Sequence, residues 1–190
     1  DRPTYAGAMS SIASSRNIRL GIDFGTTNTV VVLLDADGRP HPARFSFPHH
    51  EPSDTCRTLL CLWHDENMSH GRALQDAIGP EAIDAYLEDP AESRLIMSMK
   101  SYLAQTSFRQ TRLIGQVMTL ETLIARFLAR LMRSLAIDPA HVTATVGRPV
   151  HFAGDRADDD FGETRLRDSF RAAGFGDIHV ALEPEAAGWR

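Results

Sequence analysis

Asp23, Gly25, Thr26, Thr27 and Asn28 stand almost side by side, and each is of a type suited to holding a polyphosphate. Gly25 can take φ > 0 without a Cβ clash, which lets successive backbone N–H groups at this corner converge on one anion. Thr26, Thr27 and Asn28 add short side-chain donors. Asp23 closes an apolar strand pattern, where an unpaired carboxylate is costly to bury. Beside a phosphate the same group can hold Mg²⁺ or the metal's waters. No Gly-Lys-Ser or Gly-Lys-Thr follows, so the anion would rest on a hairpin tip and not on a helix N-terminus. An ordinary hairpin with a Gly-Thr turn is the other reading of these residues.

The elements that must position this corner are legible from periodicity. Ile18, Leu20 and Ile22 alternate into one strand, and Val30 to Leu34 form a second. Asp35, Ala36, Asp37 and Gly38 are turn residues leading to a third strand over His41 to Phe47. Residues 49–112 read as an inserted subdomain, with a short strand near Thr58 to Trp63 and weaker helical pieces over Arg72 to Ile78 and Pro80 to Leu87. Lys100 falls in the largely apolar Arg94 to Leu103 segment, where a snorkelling surface lysine is the plain reading.

Thr119 to Ala136 is the clearest helix. Leu120, Leu123, Ile124, Phe127, Leu128, Leu131, Met132 and Leu135 make one stripe, with Arg126, Arg130 and Arg133 off it. At roughly 1.5 to 3 kcal/mol per fully buried side chain, that face belongs against a sheet or another helix. Val142 to Val146 is a strand ended by Gly147, Arg148 and Pro149. Asp160 with Glu163 predicts a capping box for a helix to Ala173, which Gly174 and Gly176 stop. Ile178, Val180 and Leu182 make the last strand, and the acidic run Asp155, Asp158, Asp159 and Asp160 reads as a solvated loop.

Right-handed crossovers place the last two strands parallel to the first. The expected fold is therefore α/β, a ribonuclease H-like half-domain, with 18–48 and 113–190 as its core, 49–112 as the insertion and 1–17 as a flexible leader. Glu183, at the carboxyl end of the final strand, then comes near the hairpin tip, where open α/β sheets bind ligands.

Composition narrows the classes. The 190 residues are 43% hydrophobic, enough for a real core, and no apolar run approaches the roughly 20 residues of a membrane span. A net charge of −5 without a Lys/Arg cluster argues against a nucleic-acid surface. Cys56 and Cys61 are too few for a disulfide framework, and their spacing to His49, His50, His64 and His70 fits no standard zinc pattern. Thiols of a reducing, cytoplasmic compartment are the expectation.

The segment Gly21 to Thr29, GIDFGTTNT, resembles the first phosphate motif of the actin-like ATPase superfamily, most nearly that of the seventy-kilodalton heat shock protein chaperones. Sugar kinases of that superfamily carry a similar segment. Ser98, Met99 and Lys100 sit where the chaperone family has its catalytic lysine. Gly147 to Phe152 resembles its Val-Pro-Ala-Tyr-Phe segment, and Glu183, Pro184, Glu185, Ala186 and Ala187 resemble its Glu-Pro-Thr-Ala-Ala. Sugar kinases lack this combination.

The resemblance implies an ATP/ADP site. Asp23 would act on Mg²⁺ and K⁺ through water, Gly25 to Asn28 would bind the β- and γ-phosphates, and Lys100 would stabilise the transferring charge. Glu183 would organise metal-bound waters and couple nucleotide state to domain motion. Unfolded protein clients and co-chaperones would be the partners of the whole protein. Family members carry a relay arginine at the position that falls near Glu163, with Arg165 as a nearby substitute. The wording Gly147-Arg148-Pro149 and the acidic insertion look like the short, divergent bacterial members. Sequence ends shortly after Glu183, before a second phosphate motif, an adenosine motif or a substrate domain, so the chain reads as the first lobe, inactive alone. A carbohydrate kinase of the same superfold and a non-enzymatic interaction module are the competing readings.

Overall fold

A computed structural model describes residues 18–65, 73–154 and 156–183. The chain opens with β1 (Ile18–Phe24), β2 (Asn28–Leu34), β3 (Pro40–Pro42) and β4 (Cys56–Arg57). Next come β5 (Leu59–Asp65), β6 (Ala73–Ile78), α1 (Gly79–Glu88) and β7 (Ser93–Met97), then a 3₁₀ turn at Met99–Tyr102. A hairpin of β8 (Gln110–Leu113) and β9 (Gln116–Thr119) leads into α2 (Leu120–Ser134). After β10 (Val142–Arg148) and α3 (Asp159–Ala172), β11 (Asp177–Leu182) ends the described chain's regular structure.

The fold is α/β. The main sheet has the order β11-β10-β1-β2-β3, with β4 paired to the tip end of β2. β1 is antiparallel to β2, with Phe24 opposite Thr29, and parallel to β10, with Ile22 beside Val146. β11 runs parallel to β10, with Arg148 beside Leu182. Both crossovers thus return in the direction that the sequence pattern predicts.

Alternation decides which side of this sheet is covered. Leu20, Ile22, Phe24, Val31, Ala144 and Val146 are buried beneath it, and the Phe24 and Phe127 rings meet at 5.9 Å, which sets α2 under β1. The stripe of α2 from Leu120 to Met132 is buried as expected, and Thr119 caps the helix by accepting a hydrogen bond from Thr122 N. β6, β5 and β7 form a second, three-stranded sheet within 49–112. Leu60, Leu62 and Ile78 of that sheet are buried in the same apolar cluster as Leu20, Phe127 and Phe170.

Three local expectations are corrected. Ala73–Ile78 is a strand and not a helical piece, because it pairs antiparallel with β5 from Ile78 opposite Leu60 to Ala73 opposite Asp65; Arg72 lies outside the described residues. The third strand stops at Pro42, and one further backbone bond, from Ala43 N to Val31 O at 2.8 Å, follows it. Phe45 leaves it for a bridge with Ser53. The helix cap is Asp158, whose carboxylate accepts from Phe161 N at 2.9 Å, and not an Asp160–Glu163 box. Asp159 accepts from Phe152 N and from His151, both at 2.8 Å. The acidic run therefore ties down the start of α3 and is no free loop, Asp155 lying outside the described residues.

Candidate functional site

Parallel pairing brings the carboxyl ends of β1, β10 and β11 to one edge of the main sheet. Asp23 is the penultimate residue of β1, Gly25, Thr26 and Thr27 form the tip, and Asn28 opens β2. Asp23, Thr26, Thr27 and Asn28 are all exposed. The desolvation reading of Asp23 is thus corrected: its side chain points away from the buried Ile22 and Phe24, into solvent. No hydrogen bond or ion pair to it occurs among the described residues.

Gly25 is needed for a different reason from the one expected. Its φ is not positive, but a Cβ added there would stand 2.2 Å from the carbonyl oxygen of Asn28. The tip folds back so closely that only a bare α-carbon fits. Below it, Thr58 N donates to Thr27 O at 2.8 Å, and the buried hydroxyls of Thr29 and Thr58 bond at 2.9 Å. The tip is therefore exposed above and braced beneath.

Glu183 follows β11, and its chain leans over Gly147, whose hypothetical Cβ would lie 3.3 Å from Glu183 Cγ. Alternation sets Asp23 and Gly147 on the same face, opposite Ile22 and Val146. Glu183 thus leans back across β10 toward Asp23, whose strand is two places away in the sheet, about 10 Å at ordinary strand spacing. Lys100 Nζ donates to Glu183 Oε1 at 2.7 Å, across 83 residues of sequence. The lysine side chain is only 11% exposed, so it does not snorkel into open solvent. It is also the only lysine in the sequence, every other long basic side chain being arginine. A lone lysine among so many arginines is a signal that residue counts alone carry.

Several residues of this edge escape sequence reasoning. Arg148 donates through Nε to Glu163 Oε2 at 2.9 Å, and Arg167 shares the same carboxylate at 2.9 Å. The i, i+4 spacing of Glu163 and Arg167 could have revealed the second pair; nothing local reveals the first. Arg165 does not face the surface. It is 3% exposed and bound to Glu121 and to the carbonyls of Tyr102 and Leu103. Ser98, just before the lysine's turn, holds a left-handed backbone at φ 58°.

The cysteine and histidine cluster does not assemble among the described residues, where no three metal-ligating side chains come together. Cys56 and Cys61 are free and buried, and burial pushes the Cys56 thiol up to about 12. His50 bonds Asp84 and His64 bonds the carbonyl of Ile114, while His70 lies outside the described residues. So do Pro184, Glu185, Ala186 and Ala187. No helix among the described residues is long and apolar enough to cross a membrane.

Chemically, the edge offers an exposed carboxylate, a tight tip of small donors, and an amine held by a second carboxylate. That set suits an anion with its counter-cation. No protein-family model matches the chain, and a search of the curated proteins finds no match either.

Proposed function

We propose that this chain is the phosphate-binding first lobe of an ATP-binding and ATP-hydrolysing protein like the seventy-kilodalton heat shock chaperones, cytoplasmic and built on a ribonuclease H-like core. The strand order, with one antiparallel strand beside three parallel ones, supports that core. The observation that carries the reading is the 2.7 Å bond between Lys100 and Glu183 on the edge where the Gly25 tip also stands. The tip and the Lys100–Glu183 pair stand at the same end of the main sheet, the end at which open α/β sheets take ligands, and this supports one shared site.

Phosphoryl transfer asks mainly for positioning and charge stabilisation. The tip would hold the β- and γ-phosphates, and Lys100 would exchange Glu183 for a phosphate oxygen. Asp23 fits Mg²⁺ through water, because its carboxylate is exposed and unclaimed by neighbouring side chains. With no further protein ligands gathered beside it among the described residues, a metal there would draw its remaining oxygens from phosphate and water. When bound, that ion supplies neutralisation of phosphate charge. The exposure of Asp23, Thr26, Thr27 and Asn28 would leave a nucleotide covered on one side only, which supports a second lobe completing the site. Clients and co-chaperones would engage that whole protein.

Phosphate release measured in the whole protein tests this, with and without a sugar acceptor. Hydrolysis without an acceptor is expected. Phosphorylated sugar would favour the kinase, and absence of both binding and turnover would favour an interaction module.

A further inference from the structure

Lys100 leaves the chain from a turn that is fixed at both ends. Upstream, Ser98 sits at φ 58°, ψ 29°, a backbone region that non-glycine residues keep only when their surroundings enforce it. Downstream, three consecutive carbonyls are claimed by α3 and its cap. Arg165 Nη1 donates to Tyr102 O at 3.2 Å and to Leu103 O at 3.4 Å, and Asp158 N donates to Ala104 O at 3.1 Å. Gly162 lets α3 approach this closely, since a Cβ there would stand 3.1 Å from the Ala104 Cβ.

The guanidinium doing this is itself expensive to bury. At 3% exposure Arg165 needs Glu121, whose Oε1 it bonds through Nε at 2.5 Å, and it lies 5.2 Å from the Phe161 ring centre. Only the arginine side of this pair is buried, Glu121 being 26% exposed, and ion pairs, whether exposed or buried, are weak evidence for stability. Pairing with Glu121 therefore does not explain why an arginine stands here. Its rigid fork does, because it can grip Glu121 with one edge and aim remaining donors at the lysine's turn.

We propose that Arg165 is a positioning residue for Lys100, with Glu121 as its anchor. Leu103 N donates to Lys100 O at 3.2 Å, so tethering the Leu103 carbonyl also fixes the backbone from which the amine reaches Glu183. This inference rests on reading Lys100 as the phosphate-facing amine, but its test does not require nucleotide.

The test is acylation of Lys100 by acetic anhydride, followed by peptide mass spectrometry across pH in the whole protein. As the only lysine in this sequence, Lys100 is read without ambiguity. Arg165→Met is expected to raise the labelling rate on the order of fivefold, the shift for losing a typical hydrogen bond, while cooperative melting persists. Glu183→Gln serves as the control for a released amine. A folded Arg165→Met protein that labels at the wild-type rate overturns the proposal. Should Arg165→Met not fold, Glu121→Gln keeps the arginine but loosens its anchor; a smaller rise is expected, and an unchanged rate overturns the proposal equally. In a separate arm, ATP with Mg²⁺ should slow wild-type labelling. Failure of that arm alone removes the nucleotide reading and leaves the positioning role intact.

Discussion

The α-carbon of Gly25 approaches Asn28 so closely that a methyl group on it would sit 2.2 Å from the Asn28 carbonyl oxygen. Since the glycine's φ is not positive, what alanine meets there is this contact and not a left-handed backbone. Gly25→Ala is expected to destabilise by about 1 to 3 kcal/mol, the usual cost of overpacking. Denaturant melts check this. A neutral or stabilising result would mean that the tip is looser than described.

Lys100→Ala is expected to lower ATP turnover in the whole protein by on the order of 10² or more, with a much smaller change in KM. The amine is proposed to meet charge that develops during transfer, so kcat is the parameter to watch. Undiminished steady-state turnover would remove Lys100 from the site.

Much of this architecture is written locally. The β1–β2 hairpin, the stripe of α2 and the parallel return of β10 and β11 follow from alternation, helical spacing and glycine stops. What fails depends on partners distant in sequence. Ala73–Ile78 becomes a strand because β5 offers a free edge to pair with. Asp158 takes the cap from Asp160 while Asp159 is drawn to His151, and Glu163 is drawn to Arg148. At the site, Asp23 and the tip are recognisable from residue type. The contact between Lys100 and Glu183 follows from no periodicity, since the two stand 83 residues apart, and only the family resemblance assigns both to one site.

Leu128 has no exposed surface and belongs to the buried stripe of α2. Leu128→Ala is expected to cost about 2 to 5 kcal/mol through lost burial and an unfilled cavity. Calorimetry would register the drop in Tm, and a change well below that range would imply that neighbouring side chains collapse into the space.

Burial holds both thiols protonated, with Cys56 pushed up to about 12 and Cys61 also raised. Because the thiolate is the reactive form, neither should react appreciably with iodoacetamide at about pH 8 while the protein is folded. Denaturation should release both at the rate of ordinary cysteine. Rapid alkylation of the native protein at Cys56 would contradict its burial.

Burial pushes the Glu121 carboxyl up, but hydrogen bonds from Arg165, from its own backbone and from Thr119, with the Arg165 charge, outweigh it and hold the carboxyl below its usual range. A depressed folded value means that this contribution is complete above the unfolded carboxylate range. It fades as pH falls through the lower folded value. Glu121→Gln should therefore flatten part of the acid limb of stability below about pH 4, near the unfolded glutamate value. An unaltered acid limb in urea melts would show that the pair is not linked to folding.

Leu60 and Leu62 of the small sheet share their apolar surroundings with Leu20 of the large one and with Phe127 of α2. Neither layer can melt while the other keeps its floor, so slow amide exchange in β5 and in β1 should report a single global opening. A protein made this way breathes as one body, and a ligand gripping the rim of the large sheet would slow exchange in the small one too.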